Sequence, residues 1–177
     1  SDDKKAEDKT TDSAKTAEAF TGATQGTDSF DTLSKAFAAN GAWLNAATKD
    51  IDASDKVLTV EGLFAGDGQV NRELALYKSG ADHKPEKTYT LTVKKLVVKS
   101  PGFAIAQGTV KGDVYVNATG FKFEGTGKID GNLIFASEDL KTAYEALDAA
   151  DKGSVTGEVK VEASDVTAVK PGAITVA

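Results

Sequence analysis

Three polar residues that recur at one place in a repeated motif are the strongest candidates for chemistry in this sequence. Asp113, Asn132 and Glu158 each follow a glycine within segments of one pattern, [Val/Ile]-x-Gly-[Asp/Asn/Glu]-[Val/Leu]-x-[Val/Phe]. The segments are Val110–Val116, Ile129–Phe135 and Val155–Val161. If they stack, the three side chains form a polar ladder, which could bind a cation weakly or supply an acid pair. The alternative is that these residues only serve the geometry of a solvated turn.

The composition excludes most other catalytic chemistry. The 177 residues include no Cys and a single His, His83, so thiolate metal sites, cysteine nucleophiles and multi-His sites are excluded. One Arg, Arg72, is available for bidentate recognition of an anion. The net charge of -6 disfavours nucleic acid as a partner, because phosphate binding requires clustered Lys and Arg. We therefore expect no cofactor, no metal and no enzymatic activity.

The spacing of the glycines around this motif predicts the fold. Two sets of three glycines share the same two intervals, 19 and 26 residues. The sets are Gly108, Gly127 and Gly153, and Gly112, Gly131 and Gly157. At about 3.3 Å per residue, 18–19 strand residues make a coil with a perimeter of roughly 60 Å. This perimeter fits a short triangular parallel β-helix of about seven coils, with the glycines at its corners.

Alternating apolar residues from Val57 onward predict an all-β region. An antiparallel β-sandwich is the alternative fold, since it would also explain the alternation. We expect a single domain over residues 28–177, preceded by a disordered polar tether at 1–27. Two helices are predicted within the domain, at about 29–39 and about 138–150, with Asp28 or Ser29 and Ser137 as N-caps. The second helix would account for the longer glycine interval.

Two of the repeats resemble a known family. Thr109–Val116 and Gly127–Phe135 are similar to the bactofilin-type polymer-forming proteins, whose repeats alternate Gly-x-Val-x-Gly-[Asp/Asn]-[Val/Ile/Leu] units. The resemblance covers roughly residues 90–165. It implies a right-handed parallel β-helix without a cofactor, which assembles end to end and acts as a scaffold.

Together these features predict a non-enzymatic structural or adhesive protein of the bacterial cell envelope, with self-assembly as one mode of action. A carbohydrate- or ligand-binding surface module and a polysaccharide-acting enzyme are the alternatives. The polar tether, the absence of Met and the Cys-free body favour an exported lipoprotein whose lipidated Cys would precede Ser1. The membrane would then be reached only through that anchor. The expected partners are the protein itself, other cell-surface proteins or glycans.

Overall fold

Strands are the predominant regular structure in this chain, and two short helices interrupt them. A computed structural model describes residues 17–19, 24–66, 69–170 and 174–175. The strands are β1 Ala17–Ala19, β2 Thr24–Thr27, β3 Leu44–Ala47, β4 Ile51–Val60, β5 Phe64–Gly66, β6 Gln69–Val70, β7 Arg72–Ala75, β8 Tyr77–Ser79, β9 Pro85–Thr88, β10 Thr90–Val98, β11 Phe103–Ala106, β12 Thr109–Val116, β13 Lys122–Glu124, β14 Lys128–Asp130, β15 Leu133–Phe135, β16 Ser154–Val155, β17 Val159–Val161 and β18 Ile174–Thr175. The helices are α1 Phe30–Ala36 and α2 Glu138–Glu145, and a 3₁₀ turn follows at Ala149–Asp151. The chain is therefore all-β, as predicted.

Parallel pairing dominates the two large sheets. One sheet has the strand order β2-β3-β7-β11-β13, and the other begins β4-β10-β12 and continues through β14 and β15 to β16 and β17. Every pair within these two sheets is parallel, so the antiparallel sandwich is wrong. Antiparallel pairs occur between β5 and β6 and between β8 and β9, within the described residues. A third sheet has the order β18-β1-β5-β6.

The register of the large sheets follows the intervals found in the sequence. Val110 pairs with Leu91 on one side and with Ile129 on the other, at 19-residue steps. Leu133 pairs with Val159 across the 26-residue interval. We call each successive position in a sheet a layer, which holds one strand or two consecutive strands such as β14 and β15. Each large sheet has five layers within the described residues, fewer than the seven coils expected. The hairpin β8–β9, for example, lengthens the chain without adding a layer to these sheets.

The interior of the sheets is filled by apolar side chains that repeat from layer to layer. Alternate residues along each strand point inward, and the inward residues of paired strands stack on one another. Fully buried members of these stacks are Leu58, Leu96, Val114, Leu133, Leu74, Ile105 and Phe123. Since each layer covers the next, the core forms a continuous column.

The predicted corner glycines lie where two layers touch backbone to backbone. Gly131 has a φ of +155°, and a Cβ there would overlap the carbonyl group of Gly112 in the adjacent layer. Gly157 donates its N–H to the carbonyl oxygen of Gly131 at 2.9 Å. A Cβ would also approach backbone atoms at the remaining four positions, which are Gly108, Gly112, Gly127 and Gly153. Side chains at these corners would hold the layers apart.

A helix and a buried arginine close the N-terminal end of the column. Ser29 caps α1 by accepting a hydrogen bond from the N–H of Thr32, and the helix buries Leu33 and Ala36. Arg72 is fully buried, and its guanidinium donates to the carbonyl oxygens of Ala36, Ala38, Ala42 and Glu61 and to Ser100 Oγ.

The Arg72 guanidinium carbon lies 5.3 Å from the centroid of the Phe37 ring and 4.0 Å from that of the Phe64 ring. Burial lowers the pKa of Arg72 from its ordinary value to about 9, so the side chain is still charged at neutral pH. A cation that contacts carbonyl oxygens at the end of a helix also complements the helix dipole. Arg72 therefore anchors α1 and the loop after it to the sheets.

The second helix lies near the C-terminal end of the column. Ser137 accepts a hydrogen bond from the N–H of Leu140 and caps α2, which buries Leu140 and Tyr144. The Tyr144 ring lies 5.4 Å from Phe135 and 6.1 Å from Phe121, centroid to centroid. The structure thus has helices inside both predicted ranges, although each is shorter than expected.

Strands occur before residue 28, which was the expected start of the domain. Residues 1–16 and 20–23 of the predicted tether lie outside the described residues. Ala17–Ala19 pairs with β5 and β18, and Thr24–Thr27 pairs with β3. Parallel pairing uses backbone groups, so a polar stretch can form these strands without burying large apolar side chains. Two strands, Ala17–Ala19 and Thr24–Thr27, thus lie within the stretch that was predicted as a tether.

Replacing Gly131 by Ala is expected to destabilise the fold strongly. Because the added Cβ would overlap the Gly112 carbonyl at an unfavourable φ, we expect the free energy of unfolding to fall by about 2–3 kcal/mol. Gly26→Ala is the control, since its Cβ would have its nearest contact at 3.6 Å, with Thr48 Cγ2. We expect that change to stay within about 1 kcal/mol. Urea unfolding measures both, and equal effects would contradict the close approach of the layers.

Candidate functional site

The structure brings Asp113, Asn132 and Glu158 together in successive layers. Asp113 Oδ1 accepts a hydrogen bond from the N–H of Asn132 at 3.1 Å. Asn132 Oδ1 in turn accepts one from the N–H of Glu158 at 2.9 Å. Each of these two side chains thus bonds to the backbone of the following layer. The side-chain oxygens of Asp113 and Asn132 therefore contribute to holding the layers in register.

The residues around the ladder do not favour a metal site. Lys95 pairs with Asp113 in the preceding layer, so a cationic side chain shares this column. Glu158 lies at the exposed end of the ladder and forms an ion pair with Lys160 at 3.6 Å. In the described part of the chain, no group of three or more His, Asp or Glu residues is placed to hold a metal ion.

A second polar cluster lies on the outer face of the five-stranded sheet and was not predicted. Glu73 is in β7 and Glu124 is in β13, with β11 between them. Their carboxyl groups are nevertheless in hydrogen-bonding contact. The two side chains meet across Ala104 and Ala106 of β11, whose small size leaves room for them. Lys122 and Tyr77 belong to the same cluster.

Burial and mutual repulsion change the acidity of this pair. Desolvation, followed by the charge of Glu124 and the hydrogen bond with it, raises the pKa of Glu73 from 4.5 to about 7, against an opposing effect of Lys122. Burial and the same two carboxylates raise the pKa of Tyr77. A carboxyl group with a pKa near 7 can donate or accept a proton at neutral pH. Here it also joins two layers that are not adjacent.

Two sequence intervals would be needed to identify the acid pair, and only one of them belongs to the regular repeat. The 18-residue step from Ala106 to Glu124 belongs to the regular repeat. The step from Glu73 to Ala104 is 31 residues, because the hairpin β8–β9 is inserted between β7 and β10. Without the position of that insertion, Glu73 cannot be aligned with Glu124.

Arg72 and His83, the other two residues considered for chemistry in the sequence, belong to neither cluster. Arg72 is buried and fully engaged, so it is not available to bind an anion from solvent. His83 lies in the exposed turn of the hairpin β8–β9, where its φ is +63°. Neither residue lies against the polar ladder or contributes to the acid pair.

A cleft of about 440 Å³ lies beside α2, close to the C-terminal end of the column. Its walls are the apolar face of α2, the loop before β13 and the segment 167–170. Phe121, Phe135, Leu140, Tyr144 and Leu147 supply its apolar lining. Asp139 and Lys170 are its two charged residues. A cleft of this size with aromatic walls falls in the range of small-molecule sites.

Comparison of this chain with protein-family models, with curated proteins and with solved structures finds no match. Neither α1 nor α2 is long and apolar enough to cross a membrane, and the described residues contain no other α-helix.

The proton shared by Glu73 and Glu124 predicts a pH-dependent stability. Since the pKa of Glu73 is raised on folding, its contribution to stability is complete below about pH 4.5 and is lost as the pH rises through 7. Glu73→Gln can keep a hydrogen bond to Glu124 without the titration. We expect this variant to melt at a higher temperature than the wild type at pH 8, with a smaller difference at pH 5.

Glu86→Gln, in the exposed hairpin β8–β9, is the matched control and should leave both melting temperatures unchanged. Thermal unfolding followed by circular dichroism measures all three proteins. If Glu73→Gln is destabilising at pH 8, the carboxyl groups do not repel each other as described.

The ladder predicts that Asp113 acts through its oxygen atom and not through its charge. Asp113→Ala leaves the N–H of Asn132 without its acceptor, and we expect the free energy of unfolding to fall by about 1 kcal/mol. Asp113→Asn retains an acceptor and should remain within about 0.5 kcal/mol of the wild type. Urea unfolding distinguishes the two. Equal losses would show that the negative charge itself is required.

Proposed function

We propose that this chain is a right-handed parallel β-helix that serves as a non-enzymatic structural or adhesive protein of the bacterial cell envelope. The parallel pairing at 18- to 19-residue steps supports the β-helix, and so do the glycines at the contacts between layers. The resemblance of Thr109–Val116 and Gly127–Phe135 to bactofilin-type repeats is part of the same proposal. Export to the cell surface on a lipid anchor completes it.

One observation carries the functional part of the proposal. The side chains that could do chemistry are mostly engaged in holding the fold together. Arg72 binds backbone carbonyl groups, and Asp113 and Asn132 bind the N–H groups of the next layer. A chain that uses its polar groups in this way forms a stiff column with regular outer faces. Such a column suits a scaffold or an adhesive surface.

The alternative of a ligand-binding module is favoured by a specific observation, the cleft beside α2. Its aromatic and aliphatic walls could hold a small apolar or glycan ligand. Ala143→Arg would fill this cleft from the exposed side of α2. Thr142→Arg, on the same helix but outside the lining, is its control.

The scaffold proposal predicts binding without turnover. The full chain is incubated with purified bacterial cell walls, and both retention on the walls and release of new reducing ends are measured. We expect retention without release, and a melting temperature that EDTA does not change. Release that Glu73→Gln abolishes and Glu86→Gln does not would overturn the proposal in favour of an enzyme. Soluble wall fragments that stabilise the wild type and Thr142→Arg, but not Ala143→Arg, would favour the ligand-binding module.

A further inference from the structure

The two ends of the column differ in how completely they are closed. At the N-terminal end, Leu33 of α1 and Phe37, directly after the helix, are buried. The Phe37 carbonyl accepts a hydrogen bond from the N–H of Glu61, directly after β4. At the C-terminal end, the inward residues of the last layer are only half-buried. They are Val155, Val159 and Val161. Their partners one layer earlier, Ile129, Leu133 and Phe135, are at most 1% exposed.

The last layer also has an unpaired strand edge. The Glu158 carbonyl accepts a hydrogen bond from Leu133, and the N–H of Glu162 donates to Phe135, so these residues direct their backbone toward β15. Because backbone groups alternate along a strand, Val159 and Val161 direct theirs away from the column. Among the described residues, no strand pairs with this outer edge of β17. Such an edge readily accepts a further strand.

The charges along this edge form a self-complementary pattern. Glu158, Lys160 and Glu162 alternate with the inward valines and therefore share the outer side of the strand. Lys160 Nζ lies 3.6 Å from Glu158 and 3.4 Å from Glu162. A strand that reads acid, base, acid at alternate positions matches a second copy of itself, provided that the two run antiparallel and are offset by one pair.

We propose that a second copy of this chain binds here, by antiparallel pairing of β17 with the β17 of the partner. A two-fold axis at Val161 places Lys160 opposite the partner's Glu162, and an axis at Val159 places it opposite the partner's Glu158. An axis at Lys160 would oppose like charges and is disfavoured. The half-buried valines of both copies then cover one another.

The assembly closes at two copies. Such a contact is isologous, since the same edge is used on both sides. At the opposite end, α1 packs against β4, whose inward residues Leu58 and Val60 are fully buried, so that end offers no half-buried layer for the same contact. The inference rests on the proposed β-helix for its geometry, but it does not depend on retention by cell walls. It differs from end-to-end assembly into a filament, which would require both ends.

Charge reversal with mixing tests this pairing. Lys160→Glu gives an all-acidic edge, and the double variant Glu158→Lys, Glu162→Lys gives an all-basic one. By sedimentation velocity we expect the wild type to dimerise and each variant alone to dimerise at least tenfold more weakly. An equimolar mixture of the two variants should restore the dimer. Lys111→Glu, exposed on an inner layer of the same sheet, is the control and should behave as the wild type.

The triple variant Glu158→Lys, Lys160→Glu, Glu162→Lys reverses every charge but keeps the pattern, so it should also dimerise. Melting curves establish that each variant is folded. A wild-type chain that remains monomeric at the highest attainable concentration would overturn the inference. So would a mixture that fails to associate, or larger oligomers that grow with concentration. The cell-wall experiment, repeated with Lys160→Glu, keeps the two proposals separate, because retention should not require the dimer.

Discussion

The large sheets depend on close contact between the backbones of successive layers at the repeated glycines. Gly157 donates to the carbonyl of Gly131, and Gly131 lies against the carbonyl of Gly112. These contacts fix which residues lie above which. The inward stacks of apolar side chains and the outward column of Asp113, Asn132 and Glu158 both follow from that register. A period in the sequence thus becomes a period in space because no side chain separates the layers at the corners.

A column of layers must also end, and the two ends meet this requirement differently. At the first end, Arg72 supplies several donors to carbonyl groups that no strand satisfies, and two phenyl rings cover its charge. An arginine suits this role because its fork of donors reaches several acceptors at once. At the last end, α2 covers one side and the edge of β17 is left without a strand among the described residues. The two ends of the column therefore differ in structure.

The sequence allowed prediction of those parts of the fold that repeat. The intervals between Gly112, Gly131 and Gly157 were enough to align β12 with the four strands that follow β13, and Ser137 marked the helix that lengthens one interval. Features created by insertions could not be predicted, because the hairpin β8–β9 hides the step between Glu73 and the regular repeat. The role of Arg72 was also missed, since four of its five acceptors are backbone atoms that any residue could supply. The strand Thr24–Thr27 was not predicted, because backbone pairing leaves no mark in a polar sequence.

The pairing of β1 with β18 has a mechanical consequence. Ala17 lies opposite Ile174 and Glu18 lies opposite Thr175, and the two strands run in the same direction. Tension applied at Ala17 and at Thr175 would therefore pull the strands along their length in opposite directions. In that geometry the hydrogen bonds between the strands are loaded together and not one after another. The pair of strands would therefore be loaded in shear.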